Sequence, residues 1–154
     1  MNHLTLKLVS FAEATAEIQS IRQIVFQVEQ GVDPALEFDG LDDAATHIIV
    51  YAQVYDQKQP IGTARIRYLS DRLAKIERVA VLSAYRGQGI GKRIMEKAIA
   101  WLSEQGISEV KLNAQTHAKA FYAKLGFLQH GDEFDEAGIP HIEMRRPVEV
   151  AVKI

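Results

Sequence analysis

Three glycines within five residues, Gly87, Gly89 and Gly91, stand directly behind Arg86 and directly before a run that reads as a helix. A helix N-terminus leaves about four backbone N–H groups without partners and carries the positive end of the helix dipole. Such a turn cradles anions, and residues without side chains let a phosphate approach the backbone closely. Arg86 adds a fixed positive charge at the lip. Two nucleotide fingerprints do not fit. The Walker pattern requires Gly-Lys followed by Ser or Thr, with a glycine five positions earlier. Here Gly91-Lys92 precedes Arg93, and the earlier position is Arg86. The dinucleotide pattern requires glycines at its first, third and sixth positions, and counting from Gly87 the sixth is Lys92. A turn that merely joins strand to helix is the plain alternative.

The elements around this turn follow from periodicity. Leu4, Leu6 and Leu8 alternate with Thr5 and Lys7, the period of a half-buried strand. Ser10 is a candidate cap for a helix running to about Val28, with Ile18, Ile21, Val25 and Val28 on one face. Residues 31–43 carry Pro34, Gly40 and several acids and read as a loop, lid-like in length and composition, with room for one helical turn. Residues 47–55 and 61–68 form a hairpin around a turn at 56–60, and 75–82 is a more buried strand. Residues 89–105 are the clearest helix, with Ile90, Ile94, Ala98, Trp101 and Leu102 in one stripe and Gly106 as its stop. A strand at 109–114, a short helix at 117–125 and a strand pair at 127–130 and 139–145 complete the chain. The order β-α-βββ-α-β-α-ββ describes a mixed sheet with helices on its faces, an α/β or α+β architecture. The tail from Pro147 to Ile154 alternates weakly and reads equally as an edge strand, an oligomer contact or disorder.

Composition narrows the function. The chain has 154 residues, suited to one domain over 1–154, with 47 % hydrophobic and 25 % charged residues and a formal net charge of -2. No basic stripe marks a nucleic-acid binder. The absence of cysteine removes disulfides, thiolate metal sites and a cysteine nucleophile, and fits a cytoplasmic setting. The first residues lack the pattern of a secretory leader, and no run approaches the ~18 apolar residues of a membrane span. His3, His47, His117 and His130 show no mutual metal spacing, so no metal is assigned. No serine stands in a Gly-x-Ser-x-Gly elbow.

Arg86-x-x-Gly89-x-Gly91 after the Val79-Ala80-Val81 strand resembles motif A of the GNAT (GCN5-related N-acetyltransferase) superfamily. Asn113 on the next strand and Phe121-Tyr122-x-x-Leu125-Gly126-Phe127 resemble its last conserved block. The resemblance runs from about Ile48 to Met144. Val25-Phe26-x-Val28-Glu29-Gln30, Ala114-Gln115 and Gly138-Ile139-Pro140-His141-Ile142-x-Met144 are similar to the ElaA/YjcF-type branch.

The resemblance implies a mixed, mostly antiparallel sheet of six to seven strands flanked by about four helices. It implies acetyl-coenzyme A (acetyl-CoA) as acyl donor. Its pyrophosphate would lie on the amides of Gln88, Gly89, Ile90, Gly91 and Lys92, with Gly87 and Arg86 beside them. Its pantetheine arm would lie along Val79, Ala80 and Val81, with Asn113, Phe121 and Tyr122 completing the donor site. Amine attack on a thioester needs a proton acceptor, an oxyanion donor and an acid for the thiolate. Tyr122 matches the tyrosine near sulfur in many members, and a phenol of pKa about 10 is a suitable acid. The amide of Val81 or Leu82 is the oxyanion donor. His141, with an ordinary pKa of about 6.5, and Glu77 compete as base, and a weakly basic amine needs neither.

Gln27, Glu29, Gln30, Glu37, Asp39, Arg78, Gln115 and His141 are candidate acceptor contacts. The acids of residues 31–43 suggest a rim that attracts a cationic amine, whereas Arg78 suggests an anion on the acceptor. The expected function is acetyl transfer to a small-molecule amine. A non-catalytic acyl-CoA sensor or subunit and a protein or peptide acetyltransferase are the alternatives. The superfamily favours homodimers, and the apolar tail is a candidate contact.

Overall fold

The computed structural model describes residues 3–152. Four antiparallel strands come first: β1 (Leu4–Ser10), β2 (Thr46–Val54), β3 (Gln57–Tyr68) and β4 (Leu73–Val81), each beside the next. The second half adds β5 (Glu109–Gln115), β6 (Leu128–Gln129), β7 (Phe134–Glu136) and β8 (Ile139–Pro147). Sheet order is β1-β2-β3-β4-β5-β8-β6, with β7 also on β8, which makes eight strands among the described residues. Every pairing is antiparallel except β4 with β5.

Helices α1 (Thr15–Arg22), α2 (Pro34–Glu37), α3 (Ile90–Glu104) and α4 (Lys119–Lys124) flank it. Both sheet faces are covered, so β2 is a continuous apolar run rather than an alternating one. Its Ile48, Val50 and Ala52 join Ile90, Ile94, Met95, Ala98 and Leu102 of α3 in one core. Ile49, on the opposite face, packs with Ile18 and Ile21 of α1. Trp101 sits at the edge of the stripe against Tyr68, ring centroids 6.0 Å apart. Among the described residues no helix is long and apolar enough to cross a membrane.

Three local expectations change. Ser10 ends β1 and does not cap a helix to Val28. Its amide donates to Glu13 Oε1 at 2.9 Å while its hydroxyl accepts from the Glu13 amide at 3.3 Å, closing a turn before α1 begins at Thr15. From Gln23 to Glu29 the helix widens to π, which rotates Val28 out of the apolar stripe to 74 % exposure. Residues 57–60 are strand rather than turn. Pro60 is tolerated there because the register of β2 and β3 shifts between Val50 and Tyr51, a bulge where no ladder donor is needed. The tail beyond β8 lies along α3: the Val148 amide donates to Ser108 O at 2.8 Å and the Ala151 amide to Ser103 O at 3.1 Å. Residues 153–154 lie outside the described residues.

Candidate active site

The central feature is a sheet that fails to close. β4 and β5 are parallel neighbours, yet their register holds only from Leu73–Lys75 to Glu109–Lys111. Beyond Lys75 they diverge. The cause lies in β4. Arg65 faces Glu77 and Thr63 faces Ala80, so Arg78 and Val79 together oppose Ala64. This bulge puts Arg78 at φ 55, a left-handed conformation uncommon for a side chain of its size. A bulge bends its strand and increases the local twist, here swinging the end of β4 away from β5.

A cavity of about 570 Å³ fills the opening. Val79, Ala80 and Val81 line one wall and Leu112, Asn113 and Gln115 the other. Backbone polarity can be read along the first wall. Leu82 donates to Ile61 O of β3 at 2.9 Å, so the neighbouring Val81 turns its peptide groups to the gap. Arg86 Nε, 2.9 Å from Val81 O, approaches from that side. Alternation gives Val79 the same orientation. Leu82 is thereby spent on the sheet, and Val81 is the remaining candidate oxyanion donor. At the far end, α3 opens from Gly89 at φ 79 with Gly87 at φ 77, conformations that suit glycine. Arg93 bonds Gly89 O at 3.1 Å, so the amides before it have no carbonyl one turn back in the helix. These groups fit an elongated ligand with amides in its arm and phosphates at its end. Gly91 has an additional duty: a Cβ there would stand 3.3 Å from Phe121 Cζ.

Arg86 departs from expectation. Its guanidinium forms a bidentate pair with Glu29, at 3.0 and 2.8 Å, instead of standing over the glycine turn. Glu29 is therefore its counter-ion and does not line the cavity. Gln27 is not among the lining residues either; the neighbouring Gln30 is, and it accepts from Gln115 Nε2 at 2.9 Å. The π-helical register explains the exchange, because the face turned to the cavity falls on Phe26 and Gln30.

Tyr122 on α4 lines the cavity, edge-on to Phe121 and to Phe127 at 4.9 and 6.0 Å. Phe121 is partly exposed and does not line it. Burial pushes the Tyr122 phenol up to about 12, so it keeps its proton throughout the physiological range. His141 on β8 is buried against the same cavity. Its Nδ1 lies 2.6 Å from Ile139 O, and since a carbonyl only accepts, Nδ1 carries the hydrogen. Nε2 stands 3.5 Å from Glu136 Oε2, and Asn113 Nδ2 donates to Glu136 Oε1 at 3.3 Å. Phe134 stacks on the imidazole with ring centroids 6.1 Å apart. Glu136 lines the cavity and is absent from the candidate contacts read from the sequence.

A charge cluster forms the remaining wall. Arg22 is held by Glu37 and Asp42, both at 2.6 Å. Arg65, fully buried, grips both oxygens of Asp39 and also reaches Asp42 and Glu77. Arg67 bonds Glu77, with Lys75 at 3.7 Å. The acids of residues 31–43 thus do not form a free acidic rim: three of them, Glu37, Asp39 and Asp42, are bound inward to arginine. The Arg65 bonds hold Asp39 well below the usual carboxylate range. Burial alone would raise Asp42 and Glu77, but bonds from Arg22 and Arg67 respectively, with the charge of Arg65, bring both below their ordinary values. That direction is opposite to what a Glu77 base requires. Arg22 and Arg65 were missed because single charges in apolar runs read as surface; their signal was an arginine at an inward-facing strand or helix position.

An acetyltransferase (GNAT) domain family model matches residues 25–147. The chain is 39 % identical over 127 residues to the uncharacterized N-acetyltransferase YjcF of Bacillus subtilis (strain 168), spanning 82 % of this chain and 87 % of that one. Escherichia coli ElaA superposes with a TM-score of 0.79 at 28 % identity over 94 % of this chain and 99 % of that one. A GNAT acetyltransferase from Elizabethkingia anophelis, solved with acetyl-CoA bound, shares the fold at a TM-score of 0.70 and 15 % identity, covering 94 % and 98 %.

Proposed function

This chain belongs to the GNAT acetyltransferase family and is an acyltransferase that uses acetyl-CoA, and from that premise we propose that it acetylates the amine of a small molecule by direct attack on the thioester. The observation that carries this reading is the cavity itself, which joins the exposed backbone of Val81, the Tyr122 phenol and the His141 imidazole along one splayed seam. The whole of 1–154 is read as the catalytic domain, working in the cytoplasm.

In this reading the first-turn amides of α3 hold the pyrophosphate, and Val79 and Val81 bond the pantetheine amides. Arg86 reaches phosphate only after leaving Glu29. His141 Nε2, unprotonated in the tautomer that its Ile139 contact selects, takes the proton from the amine. Glu136 then faces the imidazolium that forms. The amine nitrogen bonds to the acyl carbon, the carbon–sulfur bond breaks, and Val81 N–H steadies the oxyanion between. Cysteine's thiol has an ordinary pKa of about 8.5, and even a less acidic alkyl thiol is a stronger acid than a phenol near 12, so full proton transfer from that phenol runs uphill. Tyr122 therefore acts as a hydrogen-bond donor to the departing thiolate, which takes its proton from solvent. Glu77 balances charge.

The test is thiol release from acetyl-CoA with a panel of small primary amines and, separately, lysine peptides. The native chain is expected to turn over small amines. Tyr122→Phe is expected to cut kcat by about 100-fold while leaving acetyl-CoA affinity, measured by calorimetry, unchanged. Binding without turnover of any acceptor would leave the sensor reading standing, and preference for peptides would move the acceptor class to protein.

A further inference from the structure

The charge cluster beside the cavity is not balanced. Among the described residues it holds five cations, counting Arg78, against the four carboxylates Glu37, Asp39, Asp42 and Glu77. Two members are left short: Lys75, whose carboxylate contact is Glu77 Oε2 at 3.7 Å in the stretch still paired to β5, and Arg78, which stands in the bulge at the cavity. The best carboxylate contact of Arg78 is Asp39 Oδ2 at 3.3 Å, an oxygen that Arg65 already holds at 2.7 Å. Glu77 Oε2 stands at 3.9 Å, nearer to Arg65, and Arg78's other bond is to the Glu37 carbonyl at 3.3 Å. Its Nε is buried with no partner among the described residues. Burial and the nearby Arg65 charge both disfavour its charged form.

Accessibility decides which charge a ligand meets. Arg78 keeps 21 % of its side chain exposed and lines the cavity, whereas Glu37, whose second oxygen is unpaired, is 1 % exposed. The bulge that opens the gap also aims this side chain, at the expense of a left-handed backbone. Nη1 of Arg78 makes no hydrogen bond among the described residues, its nearest carboxylate oxygen being Glu77 Oε2 at 3.9 Å, so it can make a charge-assisted bond to a ligand carboxylate.

We propose that the acceptor carries a carboxylate as well as its amine, and that Arg78 holds that carboxylate as the missing counter-ion of the cluster. The inference rests on the amine-acetylating reading above. Arg78 is then a specificity residue, and its side chain takes no part in proton transfer. The conflict between an acidic rim and a basic anchor resolves toward the anchor, because the acids are already bound.

The experiment compares α- and ω-amino carboxylates with their methyl esters and with the amines that lack the carboxyl group. All are assayed by thiol release with the full chain. The carboxylates are expected to lead their esters in kcat/KM by about 10- to 100-fold, the range for one charge-assisted contact. Arg78→Gln should erase that lead through KM, bringing the carboxylates down to their esters while acetyl-CoA affinity holds, and Arg78→Lys should recover part of it. Amine turnover with no carboxylate preference, or an equal loss for carboxylate and ester in Arg78→Gln, overturns the proposal while the amine reading stands. Failure of every amine, with acetyl-CoA still bound, overturns both. The native comparison needs no variant, so it holds even if Arg78→Gln folds poorly.

Discussion

Leu73–Lys75 of β4 are stitched to Glu109–Lys111 of β5, while Val79–Val81 of the same strand run beside an open cavity. In the closed stretch, Ala74 and Val110 lie in the main core. In the open stretch, Val79 and Val81 are only partly buried and present peptide groups that the sheet does not use. The difference arises within two residues, where Glu77 is tied across to Arg65 and Arg78 is pushed into the bulge. Closure supplies stability; the failure to close opens the candidate site; and a buried ion pair marks the boundary.

Removing that boundary should have the largest effect. Arg65→Met leaves Asp39, Asp42 and Glu77 without their shared cation, and truncating one partner of a buried charge group costs about 3–5 kcal/mol. Urea unfolding measures it; a loss under 1 kcal/mol would mean that the cluster is bystander to the bulge. Next comes a matched pair. Val110→Ala in the closed stretch should cost about 2 kcal/mol, and Val79→Ala in the open stretch well under 1 kcal/mol. Equal losses would erase the distinction between the two halves of the seam.

The smallest effect is a pH slope. Burial depresses the His47 pKa, its Nε2–H donates to Asp42 O at 3.0 Å, and its Nδ1 is buried without a partner. The folded state thus prefers neutral His47. Its contribution is present above the unfolded value of about 6.5 and is lost as pH falls below it, at up to about 1.4 kcal/mol per pH unit. His47→Gln should flatten stability between pH 7 and 5.5. Asp42 and Glu77, also depressed, contribute above their unfolded values near pH 4 and lose that contribution at lower pH in both proteins.

Much of this was legible in the chain. The glycine turn, the stripe of α3 and the Phe121–Tyr122 block lie in contiguous runs, where local periodicity and backbone need coincide. The pantetheine path along Val79 to Val81 was expected from family likeness, but the cause of the gap was not, since a bulge is a mismatch between two strands and neither strand announces it alone. The Arg86–Glu29 pair likewise joins residues from distant segments, and the π-helical turn rests on a single backbone register change. Glu136 was hidden because β7 has only three residues, too few to show a period.

The shortness of the parallel seam also bears on how the chain orders itself. β1 to β4 form a meander of sequence neighbours, and β5 to β8 pair among themselves. Leu73 reaches Glu109 only after the chain has traversed α3. That closure carries a larger loop entropy than a tight hairpin's, and its three residue pairs return little for it. The helix core must supply the difference, so α3 serves as the clasp between two locally assembled half-sheets, and the ligand gap lies where that clasp joins them.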